Sequence, residues 1–340
     1  MIRILTAAVL SAALICSALT NDPLLPAQWA LLGPNGVQPG ADWPYLSVDR
    51  PVTIALIDTG VDLNHPDLQG IFWQNPGEIP GNGLDDDGNG YVDDLYGWNF
   101  LEDSPILSSG AQSQHGTHIA GILAANNDNG IGVASLAGGQ VQIMVLQVFD
   151  GDAGGPTSGV LDAIEYARAN GADIVNLSLT SLPADDRLYN AVRDSDMLFV
   201  VSAGNSSMNL DSALPRLASY SLNNLISVAN LQPDGTLSPR SNYGPATVEL
   251  AAPGTQILST APDGAYGYLS GTSMAAPMVT AAAALLKAQS PDLTPAQLRE
   301  LLLRAADMTP EVQNLVSGGV LNLASALELG RQFSAQRQTD

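Results

Sequence analysis

Along the chain, short runs of β-branched and apolar residues alternate with stretches whose apolar positions recur every three to four residues. VTIALID (52–58), VQIMVLQVF (141–149), ADIVNLSL (172–179), MLFVVSAGN (197–205), NLISVAN (224–230) and TVELAAPG (247–254) read as strands. Helical spacing predicts helices over 116–125, 158–170, 185–194, 273–289 and 294–306, the last opened by Thr294 as cap and Pro295 in the first turn. The alternation predicts an α/β fold: a mostly parallel, doubly wound sheet with helices on both faces. Segments 74–94 and 150–157, rich in Gly, Asn, Pro and Asp, read as surface insertions, and the polar tail after Gly330 as frayed.

At 340 residues and 45% hydrophobic, the chain has material for one large domain with a buried core. Arg3, the apolar stretch ILTAAVLSAALI and the small-residue site CSA form an export signal over residues 1–20, cut after Ala18 or shortly beyond. The apolar run is shorter than the roughly 20 residues a bilayer span needs. The expected divisions are therefore a signal peptide, a main domain over 21–330 and a tail over 331–340, in a secreted or periplasmic monomer. Cleavage beyond Cys16, the only cysteine, leaves a mature chain without a disulfide; a lipid anchor at Cys16 is the alternative, disfavoured by the bulky Ile15 before it. A net charge of −22, with Lys287 the sole lysine, argues against nucleic acid and stable membrane association, because both surfaces would repel the body.

In open parallel sheets, ligands bind beyond the carboxyl ends of strands. Asp58, Ser178 and Asn205 stand at such ends, and Ser273 opens an Ala-rich helix whose free N–H groups favour a developing negative charge. A serine becomes a nucleophile only when an imidazole takes its proton and a carboxylate holds that imidazole in one tautomer. The histidines are His65, His115 and His118. In SQHGTHIAGI (113–122), His115 starts its helix and can face a cleft, whereas His118 lies a turn inside on a face that must be buried. A shared metal is the rival reading, weakened by a spacing of three rather than four and by Gly-Thr in place of an intervening glutamate.

IALIDTGVDLNHPDL, HGTHIAGI, VNLSL, VSAGN, AAPG and GTSMAAP occur in that order, and together they resemble the subtilisin-like serine proteases, in particular their thermitase-like, calcium-dependent branch. The order Asp, His, Ser is that of subtilisin itself. The resemblance implies an endopeptidase acting on polypeptides through an acyl-serine intermediate, with Asp58 orienting, His115 as general base then acid, Ser273 as nucleophile and Asn205 as oxyanion donor. It places the substrate strand between Ser178-Leu179-Thr180 and Gly154-Gly155-Pro156, with Ser202-Ala203-Gly204 walling the specificity pocket. Thr180 stands where the family usually has glycine, which implies a preference for small or medium apolar side chains. Met278 replaces a common histidine without expected loss of catalysis.

In NGLDDDGNGYVDDLYG, Asp85, Asp87 and Asn89 alternate ahead of Gly90 like the start of an EF-hand loop. Tyr96 holds the twelfth position, so Asp93 or Asp94 must close a calcium site there. The resemblance implies a second, structural calcium at Asp22, Asp67, Asn127, Asn129 and Ile131, tying the N-terminus to the body. ICSALT runs straight into NDPLLPAQWALL, without the folding prosegment usual in secreted members. This leads to the expectation of a separate folding helper, unaided folding or an incomplete gene start. An inert protease-like binding module and a two-histidine metallohydrolase stay open as alternatives.

Overall fold

The computed structural model describes residues 21–40, 43, 51–150, 156–178 and 182–337. The expected leader over 1–20 and the cleft residues Gly154, Gly155, Leu179 and Thr180 lie outside the described residues. The strands are β1 (Val52–Asp58), β2 (Gly97–Asn99), β3 (Val141–Gln147), β4 (Ile174–Leu177), β5 (Leu198–Ser202), β6 (Leu225–Leu231), β7 (Leu250–Pro253), β8 (Ile257–Ala261), β9 (Ala265–Leu269) and β10 (Gly319–Val320). The α-helices are α1 (Trp29–Leu32), α2 (Gln114–Ala124), α3 (Thr157–Ala169), α4 (Asp186–Arg193), α5 (Thr272–Gln289), α6 (Pro295–Ala305) and α7 (Leu323–Arg337).

Eight strands form one sheet in the order β10-β7-β6-β5-β4-β1-β3-β2, every pairing parallel. Both faces are covered, which is why the strands are apolar at consecutive positions. Ile54, Leu56, Ile143 and Val200 belong to one core with residues of α2, α5, α6 and α7, whereas Ala55, Ile57, Met144 and Val201 belong to a second with residues of α3 and α4. The doubly wound α/β architecture is thus as the alternation predicts. Strand order reverses at β1, flanked by β3 and β4, and this switch point opens the crevice in which such sheets bind ligands.

The capping box at Thr294 forms, its hydroxyl accepting from Gln297 N–H and the Gln297 side chain accepting from Thr294 N–H. The tail departs from expectation, since α7 runs to Arg337. Phe333 packs against the core, and Ser334 Oγ meets Ser290 Oγ at 2.5 Å. The antiparallel hairpin β8–β9 is a second addition, turning at Pro262-Asp263-Gly264 with Asp263 and Gly264 at positive φ.

Candidate active site

Register builds the site. Ile57 pairs with Leu177 and Leu177 with Val201, so Asp58, Ser178 and Ser202 stand level at the carboxyl ends of three adjacent strands. Neighbouring strands lie about 4.8 Å apart, so this row is about 10 Å wide.

Asp58 is fully buried, and its Oδ1 accepts from Thr59 N–H at 2.7 Å and from His115 Nδ1 at 2.7 Å. A carboxylate only accepts, so the imidazole proton sits on Nδ1 and Nε2 carries the lone pair a general base needs. The His115 side chain stays one-third exposed. Helix α2 can deliver it because residue 116 is glycine: a Cβ there would lie 2.5 Å from the Gly60 carbonyl. Gly116 N–H instead donates to Thr59 Oγ1 at 2.9 Å, docking the helix start on the turn after β1.

Ser273 lies in the first turn of α5, which packs against α2. Pro277 has no N–H to give to the carbonyl four residues back. That carbonyl is Ser273's, and it accepts Ser178 Oγ at 3.1 Å, while Ser273 Oγ donates to the Ser178 carbonyl at 3.2 Å. Asn176 supports Ser178 from behind, its amide donating to Ser178 Oγ at 3.1 Å and accepting from Thr280 Oγ1 at 2.8 Å.

Asn205 Oδ1 accepts from Thr272 N–H at 2.9 Å and from Thr272 Oγ1 at 3.2 Å. Because a backbone N–H can only donate, the oxygen end of this amide is assigned and Nδ2 is its donor end. Ser202 and Ala203 are fully buried, and the polar main chain of 203–204 is spent internally. Ala203 N–H bonds Val228, its carbonyl bonds Asn242, Gly204 N–H bonds Thr272 Oγ1, and the Gly204 carbonyl bonds Asn242 N–H. Ser202-Ala203-Gly204, expected to wall the specificity pocket, thus form a buried, internally bonded main-chain segment leading into Asn205. Pro156 precedes α3 and is exposed.

The two histidines of the HGTH stretch turn to different partners. Buried His118 points Nε2 at the carbonyls of Ile257 and Gly267, 3.0 and 3.1 Å away, pinning the β8–β9 hairpin. That geometry is not a shared metal pair. Burial, opposed by the two carbonyl bonds, pushes the His118 pKa from the usual 6.5 down to about 4. Between these values the unfolded chain holds the extra proton. The contribution is therefore complete above pH 6.5 and is lost as pH falls towards 4, by about 3 kcal/mol in all. His118→Gln should flatten the acid limb of a urea-midpoint profile; an unchanged limb would assign that slope elsewhere.

In the acidic loop, Glu78, Asp87 and Asp94 each bring a carboxylate oxygen within 4.8 Å of the others. Asn75 donates to Asp87 and Asp94 at 2.9 and 2.8 Å, and Asn89 to Asp94 at 3.0 Å. Of the residues anticipated here, Asp87 and Asp94 converge, Asn89 turns its amide N–H towards them while its Oδ1 accepts from Tyr91 N–H, and Asp85 and Asp93 fold the loop. Asp85 accepts from Gly88, Asn89 and Gly90 N–H, and Asp93 from Asn82 and Gly83 N–H. The Gly90 bond above all, with those from Gly88 and Asn89, holds the Asp85 carboxyl below its ordinary range. Glu78 and Asn75 precede the motif and carry no sequence signal of their own. Beneath the loop, Tyr166 donates to Asp94 at 2.5 Å.

Asp22 and Asp67 are buried. Asp22 accepts from Asp128 and Asn129 N–H, and Asp67 from Val133 N–H and the Asn129 amide. Burial is the largest influence on Asp67 and raises its pKa. Asn127 is turned away, both ends of its amide bonded to Ser135, and Asn129 Oδ1 accepts from Ile131 N–H. The N-terminal segment is thus already tied to the body by direct hydrogen bonds.

The subtilase family profile matches residues 49–325. The chain is 35% identical over 299 residues to subtilisin-like protease 1 of Plasmodium vivax, an alignment covering 81% of this chain and 47% of that protein. It is 35% identical to halolysin of Haloferax mediterranei, covering 84% and 50%, and 33% identical to thermitase of Thermoactinomyces vulgaris, covering 79% and 85%. The chain spans about half the length of the first curated relatives it matches. A solved protease of Pseudoalteromonas arctica superposes with a TM-score of 0.70 at 27% identity, covering 92% of this chain and 99% of that one.

Proposed function

Because this chain belongs to the subtilase family, we propose that it is an exported, calcium-stabilised serine endopeptidase that cleaves polypeptides through an acyl-serine intermediate. The observation that carries this is the 2.7 Å bond from His115 Nδ1 to buried Asp58, which leaves Nε2 as the base. His115 takes the Ser273 hydroxyl proton as Oγ attacks the scissile carbonyl carbon. The tetrahedral oxyanion is met by Asn205 Nδ2 and the Ser273 N–H, both held by the start of α5. His115 then passes the proton to the departing amine, and water hydrolyses the acyl-serine by the reverse sequence. A covalent fluorophosphonate probe should label the chain and fail to label Ser273→Ala; an unlabelled wild type would favour an inert, protease-like binding module.

Export is supported by the leader-like start and by 31% identity to an extracellular basic protease of Dichelobacter nodosus. Among the described residues, no helix is long and apolar enough to cross a membrane.

For calcium, the donor chemistry fits: Glu78, Asp87 and Asp94 offer hard oxygen ligands close enough to share one ion. When bound, the ion neutralises three converging carboxylates and fixes the loop. Asp22 and Asp67 are the second place where buried carboxylates call for a cation. An ion bound only by the folded state stabilises it, by about 2.7 kcal/mol at a hundredfold excess over Kd. Chelation should lower Tm by several degrees and added calcium restore it, with Asp94→Asn blunting the response. A Tm indifferent to chelator would remove calcium from this reading.

A further inference from the structure

Resting on the proteolytic reading above, we infer that Asn242 is a positioning residue for catalysis, acting through Asn205. Asn205 sits in a loop whose following side chains, Ser206 and Ser207, are exposed and cannot anchor it by packing. Its backbone is demanding on both sides: Gly204 has φ of 108° and Ser207, a non-glycine, 57°. Such conformations persist only where surrounding contacts hold them.

Asn242, 1% exposed, supplies those contacts. Its Oδ1 accepts from Ser206 N–H at 3.0 Å and Met208 N–H at 2.9 Å, and its Nδ2 donates to the Ala203 carbonyl at 2.8 Å. Its own N–H donates to the Gly204 carbonyl at 2.7 Å. One side chain therefore grips the main chain before and after Asn205, and Thr272 holds the Asn205 amide oxygen from the other side. The direction of Asn205 Nδ2 is set by this pair of clamps.

Truncation at 242 leaves the Ala203 carbonyl buried without its partner, and the flanks of Asn205 loosen. The loop stays docked through bonds that need no Asn242 side chain: Ser207 N–H to Arg240, Tyr243 N–H to Met208 and Leu210 N–H to Tyr243. The oxyanion donor becomes mobile while the rest of the cleft is kept.

The test is a double-mutant cycle of Asn242→Ala with Asn205→Ala, with active sites counted by the fluorophosphonate probe. In the presence of Asn205, kcat per labelled site should fall about 10–100-fold, a fraction of the full loss of an oxyanion donor, with KM within about twofold. Affinity for a peptide aldehyde, which forms a tetrahedral adduct, should fall in parallel. In the Asn205→Ala background the second substitution should cost nothing further in kcat. Asn242→Asp keeps both acceptor bonds and loses the donor, and it carries the same test should the alanine variant not fold. An unchanged kcat per labelled site, or an equal loss in both backgrounds, overturns the inference and leaves the protease reading standing. A wild type that takes no label overturns that reading, and the inference with it.

Discussion

Replacing Ser273 with alanine should reduce kcat by about 10⁶-fold while the protein remains folded, a magnitude known for triad loss in subtilisin, a member of this same family. The structure separates the two effects. The substitution removes one hydroxyl and its 3.2 Å bond to the Ser178 carbonyl, a neutral bond worth about 1 kcal/mol. The tighter tie, Ser178 Oγ to the Ser273 carbonyl, uses main chain and survives, and alanine suits the first turn of α5. A melting curve within a few degrees of wild type beside an undetectable acyl-enzyme is the expected pair of results. Residual turnover above about one-thousandth of wild type would mean that another group attacks the carbonyl.

Asn205→Ala should cost about 10²–10³ in kcat with little change in KM, the scale known for the oxyanion asparagine of subtilisin. Alanine also strips Thr272 of an acceptor, so Asn205→Asp is the control. The carboxylate can still accept from Thr272 N–H and Oγ1, but it has no N–H to give and faces the oxyanion with like charge. Aspartate should therefore be at least as slow as alanine while keeping the helix start intact. Recovery of activity in the aspartate variant would show that Asn205 matters through Thr272 and not through its amide hydrogen.

Much of the site is legible in the chain itself because catalysis places its groups where elements end. Asp58 follows a run of consecutive apolar residues, Ser273 opens an Ala-rich helix, and His115 stands ahead of Gly116 where a helix must begin. The hairpin β8–β9, turning at Pro262-Asp263-Gly264, was not among the elements the periodicity predicted. The acidic loop was only half legible. Alternating Asp85, Asp87 and Asn89 announce oxygen ligands, but spacing does not say which carboxylates fold the loop and which converge.

From periodicity follow the α/β class and a sheet covered on both faces, since burial repeats with the local period of the backbone; the ordered motifs carry the family resemblance. Only the tertiary structure decides the partners. Glu78 joins Asp87 and Asp94 through a loop closing on itself, and Asn242 reaches residues 34 to 39 positions away. Pro277 matters because the carbonyl it frees meets a serine hydroxyl 95 residues distant. Hydrogen bonds depend on register and angle between remote segments, and these are fixed when the sheet and its two helical layers pack.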